Sequence, residues 1–300
     1  MTNHETAMVF ASFAGDSLAL GVHWIYDPKQ IEKSFGRVSA FVKPKPDSYH
    51  PTKEAGDFTH YGDQTFVLLE SLASMKKFDP SDFSRRWQTL FKDYNGYHDH
   101  ATKDTLRNLF QGKTPLDAGS SSEELAGAAR LAPLVLLYRN DLDALVEAAR
   151  TQTRMTHNHP MVVDGAEFFA RIAWMVLKGR SPIEVMEEVA MQRFPNTPIS
   201  KWVLDGVESR SKESTPTILA FGQSCHYGDA FPGVVHLLAK YENNLEEALI
   251  QAVMAGGDSA GRAMIVGMVL GAYLGRESFP DQWTAMNRYE DIVKHIEEIL

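Results

Sequence analysis

The chain has 300 residues, 44% of them hydrophobic and 23% charged, which suits a globular protein with a sizeable core. Its net charge of −9 argues against a surface that tracks nucleic-acid phosphates but leaves room for a local pocket for a small anion. A single cysteine, Cys225, excludes an internal disulfide framework, and His4 and Glu5 stand where a signal peptide would carry its basic patch, so a reducing, cytoplasmic setting is expected.

Phe10, Phe13, Ala14, Ser17, Leu18 and Gly21 recur at helical spacing and predict a first helix through the opening twenty-odd residues. Ala7, Ala11 and Gly15 form a second, small-residue line along it. Asp27-Pro28 reads as an N-cap followed by proline at the first helical position, opening a short helix that stops at Gly36. Over 37–61 the periodicity disappears, and Pro44, Pro46, Pro51 and Gly56 mark a long irregular connection of the kind that is usually functional or mobile. It leads into Gly62-Asp63-Gln64-Thr65, after which Val67, Leu68, Leu72 and Met75 follow at helical spacing.

Asp79-Pro80 opens the next helix, closed by Asn95-Gly96, and another is expected over 102–110. Ser120 and Ser121 stand three residues before Glu123 and Glu124, a capping-box pattern that predicts an alanine-rich helix bent or divided by Pro133. Further helices are expected over 142–153, 161–177, 183–193, 199–209, 232–241, 245–254 and 282–300. No alternating run is long enough for a strand, and neither a repeat nor a Pro/Ser linker divides the chain. The expectation is one all-α domain over 1–300, an orthogonal multi-helix fold richer than a simple bundle.

Near the C-terminus, Gly256-Gly257-Asp258-Ser259 precedes an uncharged run over 263–275, too short for the about 20 residues of a bilayer span. Ala263, Gly267, Gly271 and Gly275 put a small residue at every fourth position, a smooth face that should pack at short range against the Ala7, Ala11, Gly15 line. On spacing alone, Asp258 reads as an N-cap of that helix.

The residues able to do chemistry gather at helix ends and loops: Asp16, His23, Asp63, Gln64, Thr65, the turn Thr156-His157-Asn158-His159-Pro160, and Asp258, Ser259 and Arg262. Paired carboxylates with hydroxyl and amide oxygens suit a hard cation such as Mg²⁺. They also suit metal-free glycosidic hydrolysis by an acid and a base or nucleophile. His98 with His100, and His157 with His159, have zinc-chelating spacing, but without further ligands they read as solvated loop histidines. Cys225 reads as a small hydrophobe, and Trp24 and Tyr26 as core residues rather than stacking platforms.

Five blocks in order carry a family resemblance: Ala14-Gly15-Asp16-Ser17-Leu18, Tyr61-Gly62-Asp63-Gln64-Thr65, Ala128-Ala129-Arg130-Leu131-Ala132-Pro133-Leu134, Thr156-His157 through Pro160, and Gly256-Gly257-Asp258-Ser259. Over nearly its whole length the chain resembles the ADP-ribosylglycohydrolase family, which includes both hydrolases and lens crystallins. The resemblance implies an all-α, orthogonally packed fold. It also implies a cleft in which enzymatic members hold two Mg²⁺ and cleave the bond between ADP-ribose and a protein side chain. The blocks depart from the family pattern: Gly62-Asp63-Gln64-Thr65 stands for Thr-Asp-Asp-Thr, Ala260 and Gly261 bring no side-chain oxygen, and His23 replaces a glutamate.

The resemblance therefore assigns metal-ligand positions to Asp63 and Asp258, with Gln64 and Ser259 as neutral substitutes. Two carboxylates offset the repulsion of two divalent ions poorly, so at most one weakly held Mg²⁺ is expected. Asp63 and Asp258 become the candidate catalytic pair assisted by His23, and His157, Arg130 and Arg262 candidate substrate contacts. The expected partner is a small-molecule or ADP-ribosylated protein substrate, with neither nucleic acid nor membrane. The alternatives are a nucleotide-binding protein without turnover and a structural, crystallin-like member.

Overall fold

A computed structural model describes residues 3–300 and contains fifteen α-helices among them, joined by loops and short 3₁₀ turns. The described residues form no strand, only the isolated bridges Ser120–His157 and Glu124–His226, and no helix is long and apolar enough to cross a membrane. The first two helices are α1 (Asn3–Leu20) and α2 (Pro28–Phe35). Asp27 caps α2 by accepting from the Lys29 amide, and Gly36 ends it as expected. After the irregular segment come α3 (His60–Met75), α4 (Pro80–Leu90) and α5 (His100–Phe110).

The capping box at Ser120 does not form. Ser120 Oγ donates instead to the Thr156 carbonyl at 2.8 Å, and the next element is a 3₁₀ turn over Leu125–Ala128 with no side-chain cap. Pairing with the Thr156 turn holds this stretch extended, and local capping propensity yields to that tertiary contact. Pro133 lies in the first turn of the short α6 (Ala132–Leu137), where its missing N–H is harmless.

The rest of the chain is α7 (Leu142–Arg154), α8 (Pro160–Val176), α9 (Pro182–Arg193), α10 (Pro198–Glu208), α11 (Ser214–Phe221), α12 (Tyr227–Lys240), α13 (Leu245–Met254), α14 (Ser259–Leu274) and α15 (Tyr289–Ile299). Three boundaries differ from expectation. The short α11 shows no long apolar period and is a helix the sequence reading lacks. Pro232 lies inside α12 rather than at its start. The expected 282–300 helix is divided by Arg288, whose left-handed φ of 62° separates a 3₁₀ turn from α15.

Two helices form the spine. Both α1 and α14 are buried on all sides over most of their length, which explains their uniformly apolar composition. A Cβ at Gly267 would stand 2.1 Å from the Ala11 carbonyl oxygen, and one at Gly271 2.6 Å from that of Ala7. Only hydrogen fits between these backbones, so the two small-residue lines are the contact face. The partners run in opposite chain directions, which delivers the C-terminal end of α1 to the N-terminus of α14 and brings His23 to Asp258.

Candidate functional site

Beyond α1 the chain turns at Trp24, a bulky residue held at a left-handed φ of 65°. Such a backbone persists only where its surroundings over-determine it. Here the Trp24 amide donates to the Gly257 carbonyl at 2.9 Å, and the Gly257 amide donates to the Ile25 carbonyl at 2.9 Å. Gly257 itself has φ of 66°, and a Cβ there would meet the Gln223 carbonyl oxygen at 2.2 Å. Three distant segments are thereby stitched under one corner.

Asp258 takes the N-cap position of α14 but makes no capping hydrogen bond, so the capping reading is corrected. Its Oδ1 lies 3.5 Å from His23 Nε2 and accepts from the Tyr61 hydroxyl at 3.3 Å, while Oδ2 is buried with no partner. Burial pushes this carboxyl up to about 6, against the pull of the Arg262 charge. His23 Nδ1 accepts from the Ala260 amide at 3.3 Å, which leaves the ring proton on Nε2, facing Asp258. Burial, then the neighbouring His50, His60 and Arg262, hold His23 well below its ordinary value and hence neutral.

Above this pair the irregular segment folds back and contributes His50 to a cluster of rings. His23 and His50 centroids are 5.4 Å apart, His50 and His60 5.7 Å, and Trp24 lies 4.3 Å from His23. Both ring nitrogens of His50 are buried without a hydrogen-bond partner, as is Ser259 Oγ. Native interiors satisfy nearly all buried polar groups, so this concentration sets the cluster apart from the apolar core and makes it the candidate site.

A cavity of about 180 Å³ opens over the cluster. Trp24, Tyr26, Tyr49 and Tyr97 form its aromatic walls, and Asp99, Glu124, His100 and Cys225 supply its polar groups. Both acids are backed by histidine: Asp99 Oδ2 lies 3.2 Å from His60 Nε2, and Glu124 Oε2 lies 3.6 Å from His157 Nε2. Burial alone would raise the Asp99 carboxyl. The His60 contact, then the nearby His157 and a hydrogen bond from Thr102, outweigh it and hold Asp99 well below the usual carboxylate range. Burial, then the neighbouring Asp258 and Glu124 side chains, push the Cys225 thiol up, so it is a protonated wall residue rather than a nucleophile.

The candidate residues fall into separate places. Asp258, His23 and Ser259 come together beneath the cavity, and His157 reaches its edge through Glu124. Asp63 has other partners, its Oδ2 accepting from Lys53 Nζ at 2.5 Å and from the Tyr94 hydroxyl at 2.6 Å. Gln64 Oε1 accepts from Trp87 and Arg130, each at 2.8 Å, and its amide donates to the His60 carbonyl. Arg262 is fully buried and donates to the Ala252 and Gly256 carbonyls at 2.8 and 2.6 Å, bracing the turn before Asp258. Arg130 braces Gln64 and Thr156.

Sequence reading missed Asp99, Glu124, His50 and His60 as site residues, and it placed Trp24 and Tyr26 in the core although both line the cavity. His157 is buried rather than solvated. Asp99 lay between two histidines and Glu124 within an apparent capping box, so each carried a local explanation that hid it.

A family model described as ADP-ribosylglycohydrolase matches residues 3–300. The chain belongs to the ADP-ribosylglycohydrolase family. It is 24% identical to crystallin J1A of Tripedalia cystophora, over 98% of this chain and 95% of that one. It is 22% identical to the ADP-ribosylhydrolase ARH3 of Homo sapiens, over 80% and 77% of the two chains. A solved structure titled ADP-ribosylglycohydrolase-related protein complex superposes with a TM-score of 0.77 at 22% identity, covering 99% of this chain and 98% of the other. That similarity establishes the all-α family fold.

The two-metal centre of enzymatic family members does not fit the residues present. Asp63 Oδ2 already carries an ammonium and a hydroxyl, Gln64 bridges two side chains, and Asp16 accepts from the Thr59 amide at 2.7 Å and its hydroxyl at 2.5 Å. Among the described residues no three His, Cys, Asp or Glu side chains converge as a metal site.

Proposed function

We propose that this chain hydrolyses a glycosidic bond to ADP-ribose or a related ribosyl compound, with Asp99 and Glu124 as the two carboxyl groups that face the substrate. One observation carries the reading: two histidine-backed acids share a single aromatic-walled cavity. Family membership supports the substrate class, and ARH3 is named for hydrolysis of ADP-ribose linkages.

Cavity size limits what enters. Drug-sized ligands fill pockets of about 300 Å³ or more, so 180 Å³ accepts one ring at a time. Tyrosine and tryptophan faces suit a sugar or base ring there. Asp99, held ionised, takes the part of base or nucleophile. That leaves Glu124 to deliver a proton to the leaving atom, while water supplies the hydroxyl that ends on the sugar carbon. Asp258 and His23 lie one layer deeper as a positioning pair, and the Asp258 charge reaches Glu124 and Cys225 from below. No step passes through a metal.

The test is release of ADP-ribose or ribose from ADP-ribosylated protein and from nucleosides, in Mg²⁺ and in EDTA. Release that persists in EDTA and disappears in Glu124→Gln supports the proposal. Ligand binding without release would favour the second reading, a non-catalytic member, to which the full-length similarity with crystallin J1A lends weight.

A further inference from the structure

Lys53 is the ion-pair partner of Asp63. It sits in the irregular segment, yet its side chain is only 13% exposed and that of Asp63 15%. The ammonium stands 2.5 Å from Asp63 Oδ2 and 5.4 Å from the centre of the Tyr94 ring, and the Tyr94 hydroxyl donates to the same oxygen. Both lone pairs of Oδ2 are therefore occupied by donors the protein carries itself. The segment is anchored beside this contact, since Thr52 Oγ1 donates to the Asn95 carbonyl at 3.0 Å. Gly96 leaves room for Tyr94, because a Cβ there would stand 2.5 Å from the tyrosine oxygen.

We propose that the Lys53 ammonium is a built-in cation that takes the place of a divalent metal at Asp63. An ammonium is a compact point charge with three donors. Held against a shielded carboxylate, it neutralises Asp63 without the about six oxygen ligands an octahedral Mg²⁺ demands. The site thus carries an internal counterion, and the irregular segment that brings Lys53 is fastened to α3 by it.

The experiment reads Mg²⁺ binding rather than turnover, so it stands or falls independently of the proposed hydrolysis. Wild type, Lys53→Met, Asp63→Asn and the double variant are titrated with MgCl₂ by calorimetry and melted with and without Mg²⁺. The wild type should give no heat and no midpoint shift. Lys53→Met should gain one binding isotherm and a midpoint rise of about 2 °C or more in excess Mg²⁺, both absent from the double variant. Wild-type binding that Asp63→Asn abolishes would overturn the proposal, and so would a Lys53→Met protein indifferent to Mg²⁺. Should Lys53→Met be too unstable to titrate, recovery of its fold by MgCl₂ but not by NaCl counts for the proposal, and failure to recover counts against it.

Discussion

His60 Nε2 stands 3.2 Å from Asp99 Oδ2, with the imidazole fully buried and the carboxylate at the cavity wall. The contact holds the acid ionised at the wall where the proposed hydrolysis needs a base or nucleophile. Asp99→Asn keeps the shape and removes the charge, so kcat should fall by about 10²-fold or more with the circular dichroism spectrum unchanged. His60→Gln should lower kcat less and raise the apparent acid limb of its pH profile, because the carboxylate loses the neighbour that holds it down. Steady-state kinetics across pH check both, and an Asp99→Asn enzyme with full activity would remove Asp99 from the proposed pair.

Helix spine packing makes a contrasting prediction about stability. A side chain at position 267 would meet the Ala11 carbonyl oxygen at 2.1 Å, and neither buried backbone can retreat without parting α1 from α14. Gly267→Val should destabilise the fold by about 3 kcal/mol or more. Gly112 has open space around it and a φ of 86°, so Gly112→Ala should cost only the about 1–2 kcal/mol of a left-handed non-glycine residue. Urea melts of the two variants should rank in that order.

A buried histidine away from the cavity sets a pH window. Ser209 Oγ donates to the Gly206 carbonyl, so His236 Nδ1 donates to Ser209 at 2.8 Å and Nε2 accepts from Ser214 Oγ at 3.0 Å. This network is complete only with a neutral ring. Burial, then the Lys240 charge, hold its value at about 4 instead of 6.5. Between those values the unfolded chain binds the additional proton, so stability rises with pH there and is lost as pH falls from 6.5 through 4. The difference corresponds to about 3 kcal/mol. His236→Gln should flatten this slope in denaturant melts taken from pH 7 to 4.

How legible the molecule was in its sequence depended on whether the signal was local. The Ala7, Ala11, Gly15 line and its counterpart at Gly267 and Gly271 could be read directly, because interhelical contact at this range admits hardly any other residue type. Asp27-Pro28 with Gly36 bounded α2 for the same reason, each residue serving a backbone need. The site was harder. Asp99 and Glu124 are separated along the chain and line one cavity held by long-range contacts without a local pattern, Ser120 with the Thr156 turn and Trp24 with Gly257. Lys53 lay in a stretch with no periodicity, so nothing in its neighbours announced that it would reach Asp63.

Trp24 offers a direct view of the cavity. Its ring lies 5.0 Å from Tyr49 and 4.8 Å from Tyr97, nearly perpendicular to both, and all three line the opening. The other tryptophans, Trp87, Trp174, Trp202 and Trp283, do not line it. A ring entering the cavity should therefore alter the emission of Trp24 alone. Titration with ADP-ribose, or with adenosine as the smaller probe, should change the intrinsic fluorescence of the wild type and leave Trp24→Phe unchanged. Tyr97→Ala should weaken the same titration about 2- to 10-fold, since one aromatic contact contributes about 0.5–1.5 kcal/mol. A fluorescence response that survives Trp24→Phe would mean that the ligand binds elsewhere on the molecule.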